Sequence, residues 1–77
     1  MNEFILRNNM KVLRAKKNMT QEQLGELVKV TRTTINFVER GKWVPSSVLA
    51  LKIAKVFEVP FEEVFYLERK DSNKELE

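Results

Sequence analysis

The chain has no cysteine and no histidine. Without cysteine, disulfides and thiolate metal sites are excluded. Without histidine, the commonest general base and the commonest metal ligand are both missing. Catalysis would have to rest on carboxylates, lysines and hydroxyls, and no nucleophile–base pair, metal cluster or phosphate loop stands out among them. The expectation is a protein that is not an enzyme, binds no cofactor or metal and has no evident small-molecule ligand. Glycine and proline number only two each, so few positions interrupt regular structure. No apolar run approaches the roughly 20 residues that a membrane helix needs. The N-terminal "MNEFILRNNMK" lacks a basic leader followed by a long apolar stretch, so no signal peptide is expected. A cytoplasmic protein with no membrane partner is the default expectation.

What is present is modest in size. Seventy-seven residues leave room for one domain with one small core. Apolar residues make up 43% and charged residues 32%, an ordinary mix for a globular domain. The net charge is +3, but it is unevenly placed. Between Met10 and Lys42, Lys11, Arg14, Lys16, Lys17, Lys29, Arg32, Arg40 and Lys42 face only Glu22, Glu26 and Glu39. From Trp43 to Leu67 the acids slightly outnumber the bases. One basic half points to an anionic partner on that side, with a chance imbalance on a solvated face as the plain alternative.

Helical periodicity runs through most of the chain. A first helix is expected over about 9–17, with Met10 and Leu13 three residues apart. The preceding "EFILR" reads equally as a frayed first turn or a short strand. Thr20 and Gln23 form a capping box, and Met19 with Leu24 has the spacing of a hydrophobic staple, so a second helix starts there. Its expected core face is Leu24, Leu27 and Val28. Thr31 is a good N-cap for a third helix, with Ile35 and Val38 buried and Gly41 ending it in the left-handed region. Ser46 or Ser47 caps a fourth, whose apolar positions include Val48, Leu51, Ala54 and Phe57. Pro60 ends that helix and opens a fifth, "FEEVFYL". The resulting fold class is all-α, a compact five-helix domain over residues 1–67, with short N- and C-terminal strands left open. Residues 68–77, "ERKDSNKELE", read as a charged, flexible tail.

The second and third helices carry the chemistry. Two short helices joined by about three residues cannot pack antiparallel. They meet steeply and need a small residue, such as Gly25, where the backbones approach. This is a helix-turn-helix, whose second helix lies in the DNA major groove. The polar cluster Thr31, Arg32, Thr33 and Thr34 then faces DNA. Arg32 suits guanine O6 and N7, the threonine hydroxyls suit bases or phosphates, and Asn36, one turn on, suits adenine. The helix N-terminus favours phosphate. The plain alternative is that Thr31 only caps while Thr33, Thr34 and Asn36 face solvent. The surrounding positive charge and the low helix propensity of these residues argue for the DNA reading.

The segments "LRAKKNMTQEQL", "TRTTINFVERGK" and "PSSVLALKIAKVF" resemble the phage-repressor/Cro type of helix-turn-helix regulator, the XRE family. The resemblance covers about Met10 to Tyr66, and is nearest to small stand-alone members that are typically five-helix homodimers on palindromic operators. It implies that Gln21 contacts phosphate and braces the recognition helix. It also implies that Arg32, Thr33, Asn36 and Phe37 face bases and that Thr34 meets phosphate. Arg40, Lys42 and the backbone near Trp43 would grip phosphates after the helix, while Arg14 and Glu39 would form an internal ion pair. Three positions depart from the family pattern. Lys29 stands where glycine is usual, Gly25 where alanine is commoner, and Phe37 where a polar or small residue is commoner. Phe37 packs either on DNA or back on Trp43, and Trp43 itself reads first as a loop-packing residue.

Phe61, Val64, Phe65, Tyr66 and Leu67 give the last helix more apolar surface than a small core needs. They either complete that core or form a two-fold interface, to which paired "EFILR" and "FYLER" strands would add. The function expected is a sequence-specific, double-stranded-DNA-binding transcriptional regulator, a repressor acting as a homodimer. The alternative from another class is a protein-interaction module, antitoxin-like or adaptor, that reuses the fold.

Overall fold

The computed structural model describes residues 3–70. In chain order its elements are β1 (Phe4–Asn8), α1 (Met10–Lys16), α2 (Gln21–Val28), α3 (Arg32–Glu39), α4 (Ser47–Phe57), α5 (Phe61–Val64) and β2 (Phe65–Arg69). The five helices fall in the expected order, and "EFILR" resolves as a strand. β1 and β2 pair antiparallel, with Leu6 opposite Leu67 and Asn8 opposite Phe65, so the sheet ties the two ends of the domain together.

Short polar side chains set the helix starts. Thr20 accepts from the Gln23 N–H at 3.0 Å, and the Gln23 side chain accepts from the Thr20 N–H at 2.9 Å. This reciprocal pair satisfies two backbone donors that the first turn of α2 leaves open. Thr31 caps α3 through the Thr34 N–H at 3.1 Å, and Ser46 caps α4 through the Leu49 N–H at 3.1 Å. At its other end α3 closes on Gly41 at φ +75°, where the Lys42 N–H donates to the Phe37 carbonyl at 2.9 Å and the Gly41 N–H to that of Val38 at 3.0 Å. That double closure is the Schellman arrangement, which favours glycine at the left-handed position.

The core lies where the helices converge and is built from Met10, Leu24, Val28, Ile35, Val38, Ile53, Phe57, Val64 and Phe65. Full burial of each large member contributes about 1.5–3 kcal/mol. The buried face of α4 is Leu49, Ala50, Ile53, Ala54 and Phe57. Three expected core residues lie instead at the surface: Leu27 is 57% exposed, Leu51 57% and Val48 62%. The expected fifth helix is also cut short. Only Phe61–Val64 is helical, and Phe65, Tyr66 and Leu67 belong to β2 because β1 offers them backbone partners. Val64 and Phe65 are buried within the chain, which leaves them little surface for a second copy. β2 also takes up Glu68 and Arg69, placed by composition in the tail. Residues 71–77 of that tail lie outside the described residues.

Candidate nucleic-acid interface

The tight turn between α2 and α3 depends on two unusual backbone positions. Lys29 ends α2 at φ 69° and ψ 41°, in the left-handed region, so a lysine accepts the turn conformation for which glycine is preferred. Two residues later Thr31 is extended, and α3 begins at Arg32. The turn folds back so closely that a Cβ on Gly25 would lie 2.6 Å from the Val30 carbonyl oxygen. Glycine at this position is what lets the turn approach α2.

Along α3, Arg32, Thr33, Asn36, Phe37 and Arg40 fall within an arc of about 140° at 100° per residue. Ile35 and Val38, on the opposite side, are buried. Arg32 and Thr33 are exposed. Among the described residues neither makes a side-chain hydrogen bond or ion pair, so Arg32 keeps all of its donors available. The hydroxyls of Thr31 and Thr34 are 3.2 Å apart, and Thr31 accepts from the Thr34 backbone, so this pair holds the helix start. Phe37 is 45% exposed and Trp43 50%. The ring contact among the described residues joins Phe61 to Phe65, so Phe37 is not stacked on Trp43. Trp43, expected first as a loop-packing residue, stands half in solvent, and Lys42 beside it is exposed.

A polar network holds this face to the body. Arg14 Nε donates to Glu39 Oε2 at 2.5 Å and Arg14 Nη2 to Glu39 Oε1 at 3.0 Å. Arg14 Nη1 also donates to the Met19 carbonyl at 2.9 Å. Glu39 Oε1 accepts further from Gln21 Nε2 at 3.0 Å. Looser contacts continue outward from Asn36 to Gln21 at 3.5 Å and from Arg40 to Asn36 at 3.4 Å. The result is a bidentate, charge-assisted anchor at the base with amide donors at the rim. Gln21 and Arg32 line one shallow depression between the starts of the two helices. The first residue of α2 and the first residue of α3 therefore border the same depression.

One contributor escaped the sequence reading. Asn8 Nδ2 donates to the Val38 carbonyl at 3.1 Å and the Glu39 carbonyl at 3.3 Å, while its Oδ1 accepts from the Met10 N–H at 3.0 Å. Asn8 thus caps the end of α3 from β1 and the start of α1 at once. Its position before a helix is a local signal for the second role only.

Guanidinium, amide and hydroxyl donors on one helix face, with the exposed Lys42 ammonium just past its end, form the chemistry that meets phosphates and base edges. A helix-turn-helix family model matches residues 10–64. Fold and match together define a transcriptional regulator with a helix-turn-helix DNA-binding domain. Within that class the chain belongs to the XRE-type helix-turn-helix family. It is 48% identical over 66 residues to YgzD, a helix-turn-helix-type transcriptional regulator of Bacillus subtilis, covering 86% of this chain and 100% of that protein. A helix-turn-helix-type regulator of Archaeoglobus fulgidus is 47% identical over 66 residues, covering 86% of this chain and 93% of the relative. Among solved structures, the restriction-modification controller protein C.AhdI from Aeromonas hydrophila superposes with a TM-score of 0.66 at 33% identity, covering 70% of this chain and 82% of that one. No helix among the described residues is long and apolar enough to cross a membrane.

Proposed function

We propose that the protein is a repressor that binds a palindromic operator as a homodimer, reading bases with Arg32, Thr33, Asn36 and Phe37. Gln21, Thr34, Arg40, Lys42 and the Trp43 backbone hold phosphates. The observation that carries this reading is the exposed, unpaired Arg32 beside a braced Gln21 on a helix whose other side is buried. A rigid mount of this kind leaves only the exposed side chains, and not the helix itself, to be ordered at binding. Repression then needs only occupancy that excludes polymerase. Phe61, Tyr66 and Leu67 support the dimer: all three are exposed at one end of the chain, where α5 runs directly into β2. A two-fold pairing there would set two recognition helices about 34 Å apart, one turn of DNA.

Selection of the purified protein against random duplex DNA tests this. The expected product is an inverted repeat with half-site centres about one helical turn apart. A single short enriched site would remove the dimer. No enrichment at moderate salt would remove the operator and favour a protein-interaction role for the fold.

A further inference from the structure

The C-terminal half of α2 and the outer side of α4 enclose an apolar trough that shares no residue with the DNA face or with the α5–β2 end. Leu27, Val48 and Leu51 form its surface, with Lys29, Lys52 and Lys55 around them. No acidic residue lines it; the remaining lining residues are Val28 and Val56. The three large apolar side chains are each more than half exposed. Contiguous apolar surface of this kind, rimmed by charge of one sign, marks an interaction site rather than ordinary scatter.

We propose that this trough docks an amphipathic helix with acidic flanks, contributed by a partner protein. The argument is complementarity of shape and charge. An apolar stripe at i, i+3 or i+4 spacing fits between two helices. Carboxylates on its flanks meet the three ammonium groups, whose aliphatic stems extend the apolar wall. A second copy of this chain fits worse, because a two-fold contact sets the same lysines against one another. A small ligand fits worse too: walls this exposed would not bury most of its surface. Partner binding would give the regulator an input that its DNA face does not supply.

The test uses DNA-free protein, so that its failure is separate from failure of the operator reading. The probe is a synthetic helical peptide with leucines on one stripe and glutamates on the flanks. The controls are a scrambled peptide and one with lysines in place of the glutamates. Titration followed by fluorescence anisotropy and amide chemical shifts should show shifts confined to α2 and α4. The lysine peptide should bind at least about tenfold more weakly. Leu51→Glu and Leu27→Glu, both at exposed positions, should each cut the affinity by about tenfold or more while keeping the wild-type circular dichroism. Equal binding of the scrambled peptide, or binding untouched by Leu51→Glu, overturns the proposal. So does sedimentation showing that either variant converts a wild-type dimer to a monomer, because a second copy would then occupy the trough.

Discussion

Gln21 Nε2 donates to Glu39 Oε1 over 3.0 Å, which ties the first residue of α2 to the last residue of α3. The same carboxylate holds Arg14, whose side chain is 14% exposed against 6% for Glu39. One side chain therefore fixes the crossing of the two helices and pins α1 beneath them. Glu39→Ala would strand the Arg14 guanidinium with little water to replace its partner, and should cost about 3 kcal/mol in urea unfolding. Gln21→Ala keeps the ion pair and should cost under about 1 kcal/mol, while weakening DNA binding. A stability loss as large for Gln21→Ala as for Glu39→Ala would show that the amide, not the ion pair, anchors the motif.

Gly25 meets the turn at a distance no side chain tolerates. Any replacement places its Cβ 2.6 Å from the Val30 carbonyl oxygen and 3.3 Å from the Thr31 carbonyl carbon. Both contacts are backbone, so relief requires α2 and the turn to part. Gly25→Val should lower stability by about 2–3 kcal/mol, although helix propensity alone would favour losing the glycine. A thermal melt unchanged from wild type would mean that the turn yields freely.

Lys29 should behave in the opposite way. Its φ of 69° places a Cβ in the left-handed region, and its side chain is exposed. Lys29→Gly should raise stability by about 0.5–1 kcal/mol, the relief of strain being partly offset by a more flexible unfolded chain. Lys29→Val should lower it, because a branched Cβ fits that region worse. If both variants melted below wild type, the lysine would have to contribute something that its exposed position does not reveal.

The helix starts were legible because each is a local event. Thr20 with Gln23, Thr31 and Ser46 satisfy donors within three residues, whatever the rest of the chain does. The helix-turn-helix was legible for the same reason, and so was the left-handed Gly41. The outer side of α4 was not. In "SVLALKIAKVF" apolar residues occur on nearly every side, and stepping by three through Val48, Leu51, Ala54 and Phe57 drifts about 60° each time. The true face, Leu49, Ala50, Ile53, Ala54 and Phe57, follows the four-residue spacing instead. Leu27 fell with them, since it faces the same trough. The C-terminal strand stayed an open alternative to a longer fifth helix for another reason. Phe61, Val64 and Phe65 are spaced like a helix, and only β1, some sixty residues earlier, makes Phe65 extended. The long-range half of Asn8's role is invisible in sequence on the same ground.

The dimer proposal divides the C-terminal residues sharply. Val64 is fully buried, whereas Leu67 is 63% exposed opposite Leu6. Val64→Glu should unfold the chain, since it buries an unpaired carboxylate. Leu67→Glu should leave the circular dichroism of the protein unchanged and shift sedimentation from dimer to monomer. Wild-type sedimentation of the Leu67 variant would move the two-fold axis away from β2.

Arg32 and Lys42 separate reading from holding. Arg32 begins the recognition helix with all of its donors free, a geometry suited to two hydrogen bonds on one guanine. Lys42 follows the glycine that closes the helix and is a mobile point charge, suited to a phosphate. Arg32→Ala should therefore cost about 1–3 kcal/mol on the selected site and relax preference at a single base pair per half-site. On random duplex its loss should be small. Lys42→Ala should weaken selected and random DNA alike and lower the slope of log affinity against log salt by about 1 per bound subunit. Equal losses for Arg32→Ala on both DNAs would place its guanidinium on the backbone. Base reading would then fall to Thr33, Asn36 and Phe37.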